Sequence, residues 1–368
     1  MNKNLIEKVV AQSRCLERRK PASENVSILP DDVMYPELEE RNLFCYAYIN
    51  RCDEGLVLLA SATGEEGRHY VLKMYDASKI KNLDPIIMDA YKLRTLQHEH
   101  LVPLLNCFVK DTCIFYTFPC LDLGSLRDII RAAYRTGIPE RAMAGIYTQI
   151  LDAVIYLHEQ RIIHRDIRPH HILLNSDGTA KLTGLRNIIQ IPYGSAKVNE
   201  YTEEMSVSMC YLAPEVLEQD YHGYDLQSDV YMLGVCLCEC VNGSLDLTQQ
   251  TSFEILYRKL RNNAPRPIDC TTVAEEEAAD GHFTYFHMEH RSREFSGPLH
   301  SFVNICLKRN PLERPTSAEL KVGQWIQMTA NKDFFTPADV IRSLSFDDSA
   351  RFNMFPNIES PEKERKNR

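Results

Sequence analysis

Ile163-His164-Arg165-Asp166-Ile167-Arg168-Pro169-His170-His171-Ile172-Leu173-Leu174 is the stretch on which the reading of this chain turns. Upstream of it, Ile146, Ile150, Val154 and Leu157 recur at the spacing of a helix with one buried face, over residues 145 to 158. Downstream comes Gly184-Leu185-Arg186, then Ala213-Pro214-Glu215, Ser228-Asp229-Val230-Tyr231 and Asn310-Pro311-Leu312-Glu313-Arg314-Pro315. Well before it lies Val71-Leu72-Lys73. No single one of these short segments is specific. Their order and spacing are.

Taken together they resemble the protein kinases, and the resemblance implies an α+β, bilobal fold: a small β-rich N-lobe and a larger, mainly helical C-lobe. Local patterns agree. From about Asn42 to Tyr75 the chain reads as strands, with Tyr70, Leu72 and Met74 alternating against Val71, Lys73 and Tyr75. Leu83, Ile86, Ala90 and Leu93 fit one helix face, and a strand pair ending near Phe118 follows. The resulting division is an N-terminal extension over 1–41, an N-lobe over 42–120, a C-lobe over 121–328 and a tail over 329–368. The extension holds Leu5, Ile6, Val9 and Val10 at helical spacing, ended by Pro21. Residues 265–297, with Glu275-Glu276-Glu277 and few aliphatics, read as an insertion or mobile loop, and helical signal returns at Leu299 to Leu307. The polar end from Ser360 to Arg368 reads as disordered.

Composition excludes several classes. A net charge of −9 over 368 residues argues against a general nucleic-acid binder. No apolar run approaches the ~20 residues of a membrane span. Twelve cysteines read as reduced intracellular thiols, and a cytoplasmic location is expected, with the nucleus as a second compartment. Their spacings give no zinc motif: Cys236, Cys238 and Cys240 lie among Val230, Leu233, Leu237 and Val241, which reads as a buried helix.

The residues expected to carry chemistry are altered. Phosphoryl transfer by a kinase rests on positioning and charge stabilisation. The Gly-rich loop that should approach the phosphates reads Asn50-Arg51-Cys52-Asp53-Glu54-Gly55-Leu56-Val57, keeping Gly55 and Val57 but placing an acidic pair at its tip. Lys73 stands at the phosphate-binding strand lysine, and Asp89 at its helix partner, one methylene shorter than glutamate. Asp166 occupies the position that accepts the substrate hydroxyl proton, and Arg168 replaces the usual lysine. The metal-binding asparagine is His171, a poor ligand for magnesium, and Asn175 is too far along to substitute. Gly184 removes the other metal-binding side chain. No metal is therefore expected, and Asp166 is read as vestigial rather than catalytic. A zinc site built from His164, His170 and His171 is the less favoured reading of those residues. Arg186 is a fixed cation that stands in for part of the metal's charge. Glu215 and Arg314 match the buried ion pair that braces the lower lobe, and Asp229 is placed to cap the catalytic-loop backbone.

Within the kinases the chain resembles the STRAD (sterile-twenty-related adaptor) pseudokinases. Gly184-Leu185-Arg186, His171-Ile172-Leu173, Pro214-Glu215-Val216-Leu217, Gly223-Tyr224-Asp225, Cys238-Glu239, Asn242-Gly243 and Cys306-Leu307-Lys308-Arg309-Asn310-Pro311 carry that likeness over about residues 45 to 328. The resemblance implies a catalytically inactive partner that binds and activates a kinase of the liver kinase B type, with a helical-repeat scaffold completing the complex. It also implies ATP binding without magnesium, for which the corresponding residues are Ile49, Gly55, Val57, Lys73, Phe118, Cys120 and Arg186. Three features depart from the family: Lys73 where members carry arginine, Asp166 where they carry serine, and no Trp-Glu-Phe tail, since Trp325 sits inside the last lobe helix. Lys73 and Asp166 keep open a weak phosphotransferase as the alternative. The segment from Asn187 to Cys210, with Ile188, Ile189, Ile191, Tyr193 and Tyr201, reads as the docking platform.

Overall fold

A computed structural model describes residues 43–52, 55–62, 68–201, 209–219, 221–245, 250–261, 263–273 and 292–330. The helix expected near the N-terminus, the acidic pair Asp53-Glu54, the middle of the 265–297 stretch and the tail beyond 330 lie outside those residues. The chain divides into two compact units between Cys120 and Leu121.

The first unit is an antiparallel sheet. Its strands are β1 (Leu43–Cys52), β2 (Gly55–Ala62), β3 (His69–Asp76), β4 (Asn106–Lys110) and β5 (Cys113–Pro119), in the order β1-β2-β3-β5-β4. Alternation along β3 sends its side chains to two faces. Leu72 joins Leu58 and Ala60 in one cluster, with Leu56, Met74 and Phe115 around it. On the other face Tyr75, Tyr116 and Phe118 meet edge to face, at centroid distances of 5.3 and 6.5 Å. Helix α1 (Asp84–Thr95) is tied to that aromatic face, because the Tyr116 hydroxyl donates to the Ile86 carbonyl. Ile86 and Ala90 are the buried residues of its apolar stripe.

The second unit is helical. Helix α2 (Leu126–Ala133) starts at a capping box of Ser125 and Asp128 and is followed by α3 (Glu140–Glu159). Two short antiparallel pairs come next in the fold, β6 (Ile162–Ile163) with β9 (Ile189–Gln190) and, between them in the chain, the hairpin of β7 (Ile172–Leu174) with β8 (Ala180–Leu182). Then follow α4 (Pro214–Glu218), α5 (Gln227–Asn242), α6 (Ser252–Leu260), α7 (Gly297–Cys306), α8 (Ser317–Lys321) and α9 (Gln324–Ala330). Every residue of α5 from Ser228 to Asn242 is buried, the pattern of a helix at the centre of a domain. Cys236, Cys238 and Cys240 all lie inside it as free thiols. Gly234 lets α7 come close, since a Cβ there would meet the Cys306 Cβ at 2.8 Å. Trp325 packs on Phe302 and Tyr147 while its indole N–H donates to Glu140.

Both ends of the 265–297 stretch are more firmly held than a mobile loop would be. The Asp269 carboxylate, fully buried, accepts from the Thr271 and Thr272 amides and from the Phe295 amide. His300 Nε2 lies 2.8 Å from the same carboxylate, and the Cys270 amide donates to the Arg293 carbonyl. Backbone donors that a loose loop would leave to water are here satisfied from both sides.

Candidate functional site

The catalytic-loop residues are placed by a carboxylate on α5. Asp229 is fully buried and accepts the backbone N–H groups of His164 at 2.7 Å and Arg165 at 2.9 Å, with His158 Nε2 at 3.1 Å. Burial pushes its carboxyl up, but the hydrogen bond and charge of His158, with the other donors, outweigh this and hold it below the usual range. Two fixed amides explain how Arg165 sustains a φ of +66° without being glycine. His164 is also buried and neutral in character: burial lowers its pKa, its Nδ1 accepts from the Asp166 amide, and Nε2–H donates to the Thr183 carbonyl.

Beyond this point the loop departs from a metal-binding design. Pro169–His171 forms a single tight turn that leads into β7, so His171 lies beside the end of β8. The His171 amide donates to the Arg168 carbonyl, and the Thr183 amide to the His171 carbonyl. Its ring Nδ1 lies 2.8 Å from the Asp166 carbonyl and 3.3 Å from the Asp166 carboxylate. Burial, first among several causes, brings the His171 pKa down to about 4, so the ring is neutral at pH 7 and Nδ1–H is the donor.

Gly184 lies directly against that ring. A Cβ built there would fall 2.4 Å from His171 Nδ1 and 2.6 Å from its Cγ, closer than any real contact. Gly184 also has a φ of +85°, in the left-handed region that favours glycine. The imidazole therefore fills the room in which a side chain at position 184 would begin. The two changes are one steric event, and neither position can offer magnesium the hard oxygen ligands it prefers. Magnesium does not fit this arrangement. Among the described residues no group of three or more His, Cys, Asp or Glu side chains is disposed to hold a metal ion.

Asp166 is buried and engaged from two sides, by His171 and by Arg168, whose Nε is 3.0 Å from Oδ1. The Arg168 contact is a charge contact by distance; its N–H is not aligned as a hydrogen bond. Arg186 follows Gly184 in the short turn Leu185–Asn187 and is half-buried.

In the other unit, Lys73 lies on β3 with Val57 and Tyr116 as its direct cross-strand partners. Its ammonium stands 5.4 Å from the Phe118 ring centroid. Asp89 is buried on α1 of the same unit. Ile49 sits on β1 at a register shift, Gly55 opens β2 opposite Tyr75, and the Cys120 amide donates to the His69 carbonyl just after β5.

The second unit is braced by Arg314, whose guanidinium donates to both oxygens of Glu215 at 2.6 and 2.8 Å. It also donates to the carbonyls of Lys308, Gln227 and Arg309, which fills the fork. Its side chain is fully buried.

The segment from Asn187 onward is gripped by residues whose role spacing alone does not reveal. The Arg161 side chain donates to the Pro192 and Ser195 carbonyls at 3.3 and 2.5 Å, and its carbonyl accepts from the Ile191 amide. Arg165 donates to the Asn187 carbonyl and to the Tyr224 hydroxyl. One expectation needs correction. Ile188 and Ile191 are buried within their own unit, because they flank the β9 strand and face the lobe rather than solvent. Of the five residues of the expected platform, Tyr193 is strongly exposed, at 92 %, while Ile189 and Tyr201 are half-buried and Tyr201 packs on Tyr224.

Comparison with known proteins agrees with this arrangement of parts. Residues 53–326 match the protein kinase domain, so the chain belongs to the protein kinase family. Within it, the chain is a member of the STE20-related kinase adapter group, the STRAD pseudokinases. It is 34 % identical over 312 residues to STE20-related kinase adapter protein strd-1 of Caenorhabditis elegans, covering 85 % of this chain and 80 % of that protein. It is 28 % identical over 305 residues to STE20-related kinase adapter protein alpha of Homo sapiens, covering 73 % of this chain and 70 % of that one. The beta protein of Homo sapiens is 24 % identical over 274 residues, covering 68 % and 65 %. Among the described residues, no helix is long and apolar enough to cross a membrane.

Proposed function

We propose that the chain is a catalytically inactive pseudokinase adaptor. It binds and allosterically activates a partner protein kinase of the liver kinase B type, in a complex completed by a helical-repeat scaffold protein. The single observation that carries this reading is the His171 ring standing where the side chain at Gly184 would begin. A fold that closes its own metal position has been committed to shape rather than to transfer. The names of the relatives, kinase adapters, support the same reading.

Under this reading the nucleotide site takes ATP without magnesium. Ile49, Gly55, Val57, Phe118 and Cys120 are the residues that would line it, Lys73 meets the phosphates with Asp89 as its partner, and Arg186 supplies charge where a kinase uses metal. The partner docks on the segment after Asn187, with Tyr193 as its most exposed aromatic. The protein works in the cytoplasm and nucleus.

Affinity purification from cells tests the adaptor reading. A kinase and a helical-repeat protein are expected to accompany the wild-type chain, with the kinase lost from a Tyr193→Asp variant. Absence of both from the wild-type sample overturns it. Thermal melting tests the nucleotide: ATP with EDTA is expected to raise the midpoint, with no further rise on adding magnesium, because a ligand of the native state stabilises it. An unchanged midpoint removes nucleotide binding.

Retention of Asp166 and Lys73 favours one second reading, a weak serine/threonine phosphotransferase. It requires label transfer from ATP that disappears in Asp166→Asn. Lack of transfer with both magnesium and manganese eliminates it.

A further inference from the structure

The end of the partner-facing segment is held by a buried cation that the adaptor reading does not use. Lys259 lies on α6 and is 1 % exposed, a rare environment for lysine. Its Nζ donates to three successive stations on the chain just before α4: the carbonyls of Met209 at 3.2 Å, Cys210 at 2.7 Å and Leu212 at 2.5 Å. An ammonium has three N–H bonds, and all three are used here. The ring of Tyr231 lies 5.2 Å below it, and the same ring takes Arg314 at 5.0 Å.

No carboxylate pairs with Lys259 among the described residues. Glu215, the carboxylate nearby, is bonded on both oxygens by Arg314. The buried charge is therefore compensated by the carbonyls of residues 209–212 and by the Tyr231 ring. The dependence runs both ways. If the turn shifts, the ammonium loses the acceptors that make its burial tolerable; if the ammonium is absent, three inward-facing carbonyls lose their donor.

We propose that Lys259 is a positioning residue that locks the end of the segment that begins at Asn187, where it runs into α4, to α6, so that this end of the segment moves only with that helix. Two outer residues of α6, Phe253 and Tyr257, are exposed at 74 % and 52 % and stack on each other, so the helix presents one face to solvent while its buried lysine holds the segment. The consequence for docking rests on the adaptor reading; the lock itself does not.

Hydrogen exchange on the full-length protein, at a pH below 7 where Lys259 carries its proton, distinguishes the two. In the wild type, amides of 209–213 are expected to exchange more slowly than those of the exposed turn at Tyr193–Ser195, because opening this segment must break the Lys259 bonds to its carbonyls. Lys259→Met is expected to speed exchange at 209–213 by about tenfold or more, the effect of losing charge-assisted hydrogen bonds, while α5 stays unchanged. Exchange at 209–213 as fast as at Tyr193–Ser195 in the wild type overturns the lock, and that reading does not depend on the variant folding. So does a folded Lys259→Met protein with wild-type protection there. Capture of the partner kinase is read separately: loss with Lys259→Met, at unchanged ATP-dependent melting, is expected where the adaptor reading holds. A wild-type chain that captures no kinase but shows the exchange pattern leaves the lock standing and removes the adaptor.

Discussion

The buried charges that anchor the second unit and the position expected to bind metal have gone in opposite directions. Around Asp229 and around Arg314, buried charges are fully matched: two backbone amides and a histidine on one, a carboxylate and three carbonyls on the other. Around Gly184, by contrast, the corresponding charge has been replaced by a glycine and a neutral ring. The contrast separates what a kinase fold needs to hold its shape from what it needs to transfer a phosphoryl group. Buried pairs that set loop geometry cannot be dropped one partner at a time, because each leaves a stranded charge. A metal-binding carboxylate can be dropped, provided that something fills its space.

Variants that break each side of this contrast should differ in size and kind. The largest effect is expected from Glu215→Ala, which strands the fully buried Arg314 and should cost about 3–5 kcal/mol of unfolding free energy by chemical denaturation. Asp229→Ala comes next: the amides of His164 and Arg165 lose their acceptor, and a loss of about 2–4 kcal/mol follows at roughly 1–2 kcal/mol for each, the lower part of the range for an unsatisfied buried group. A wild-type unfolding curve for either variant would contradict the claim that these sites set the shape.

Smaller effects are expected from pH. His171 titrates at about 4 in the folded protein, below its ordinary 6.5, so between those values the unfolded chain binds more protons. Stability due to this residue is then present above pH 6.5 and lost as pH falls towards 4. Lys259 gives the same sign in another window. Burial lowers it to about 7 from 10.5, so stability should rise with pH between those values. Melting midpoints followed from pH 4 to 10 should show both slopes, the lower one flattened in His171→Asn and the upper one in Lys259→Met. Slopes unchanged in the variants would assign the pH dependence to other groups.

Much of this was legible in the sequence because it rests on local pattern. Helical spacing marked α3, alternation marked β3, and the order of short segments implied the bilobal fold. Glu215, Arg314 and Asp229 stood out because charged residues at fixed distances from landmark prolines and turns have few roles. The steric link between His171 and Gly184 was not legible. Both losses could be read, but their contact arises from the pairing of β7 with β8, which brings residues thirteen positions apart against each other. Lys259 was invisible for a similar reason: a lysine in a charged helical stretch reads as solvent-facing until the turn it supports is seen. Ile188 and Ile191 misled because apolar residues in a loop suit a docking face and a buried edge equally well.

The most direct test of the plugged metal position is a double-mutant cycle between positions 171 and 184. Gly184→Asp alone should be destabilising by about 1–3 kcal/mol, because its Cβ collides with the His171 ring and its backbone is left-handed. His171→Asn removes the ring. In the double variant, the cost of the Gly184→Asp change should fall by about 1 kcal/mol or more, a coupling outside the error of additivity. Strictly additive unfolding energies would mean that the imidazole does not occupy the room of the missing carboxylate, and the account of the metal site would fall with it.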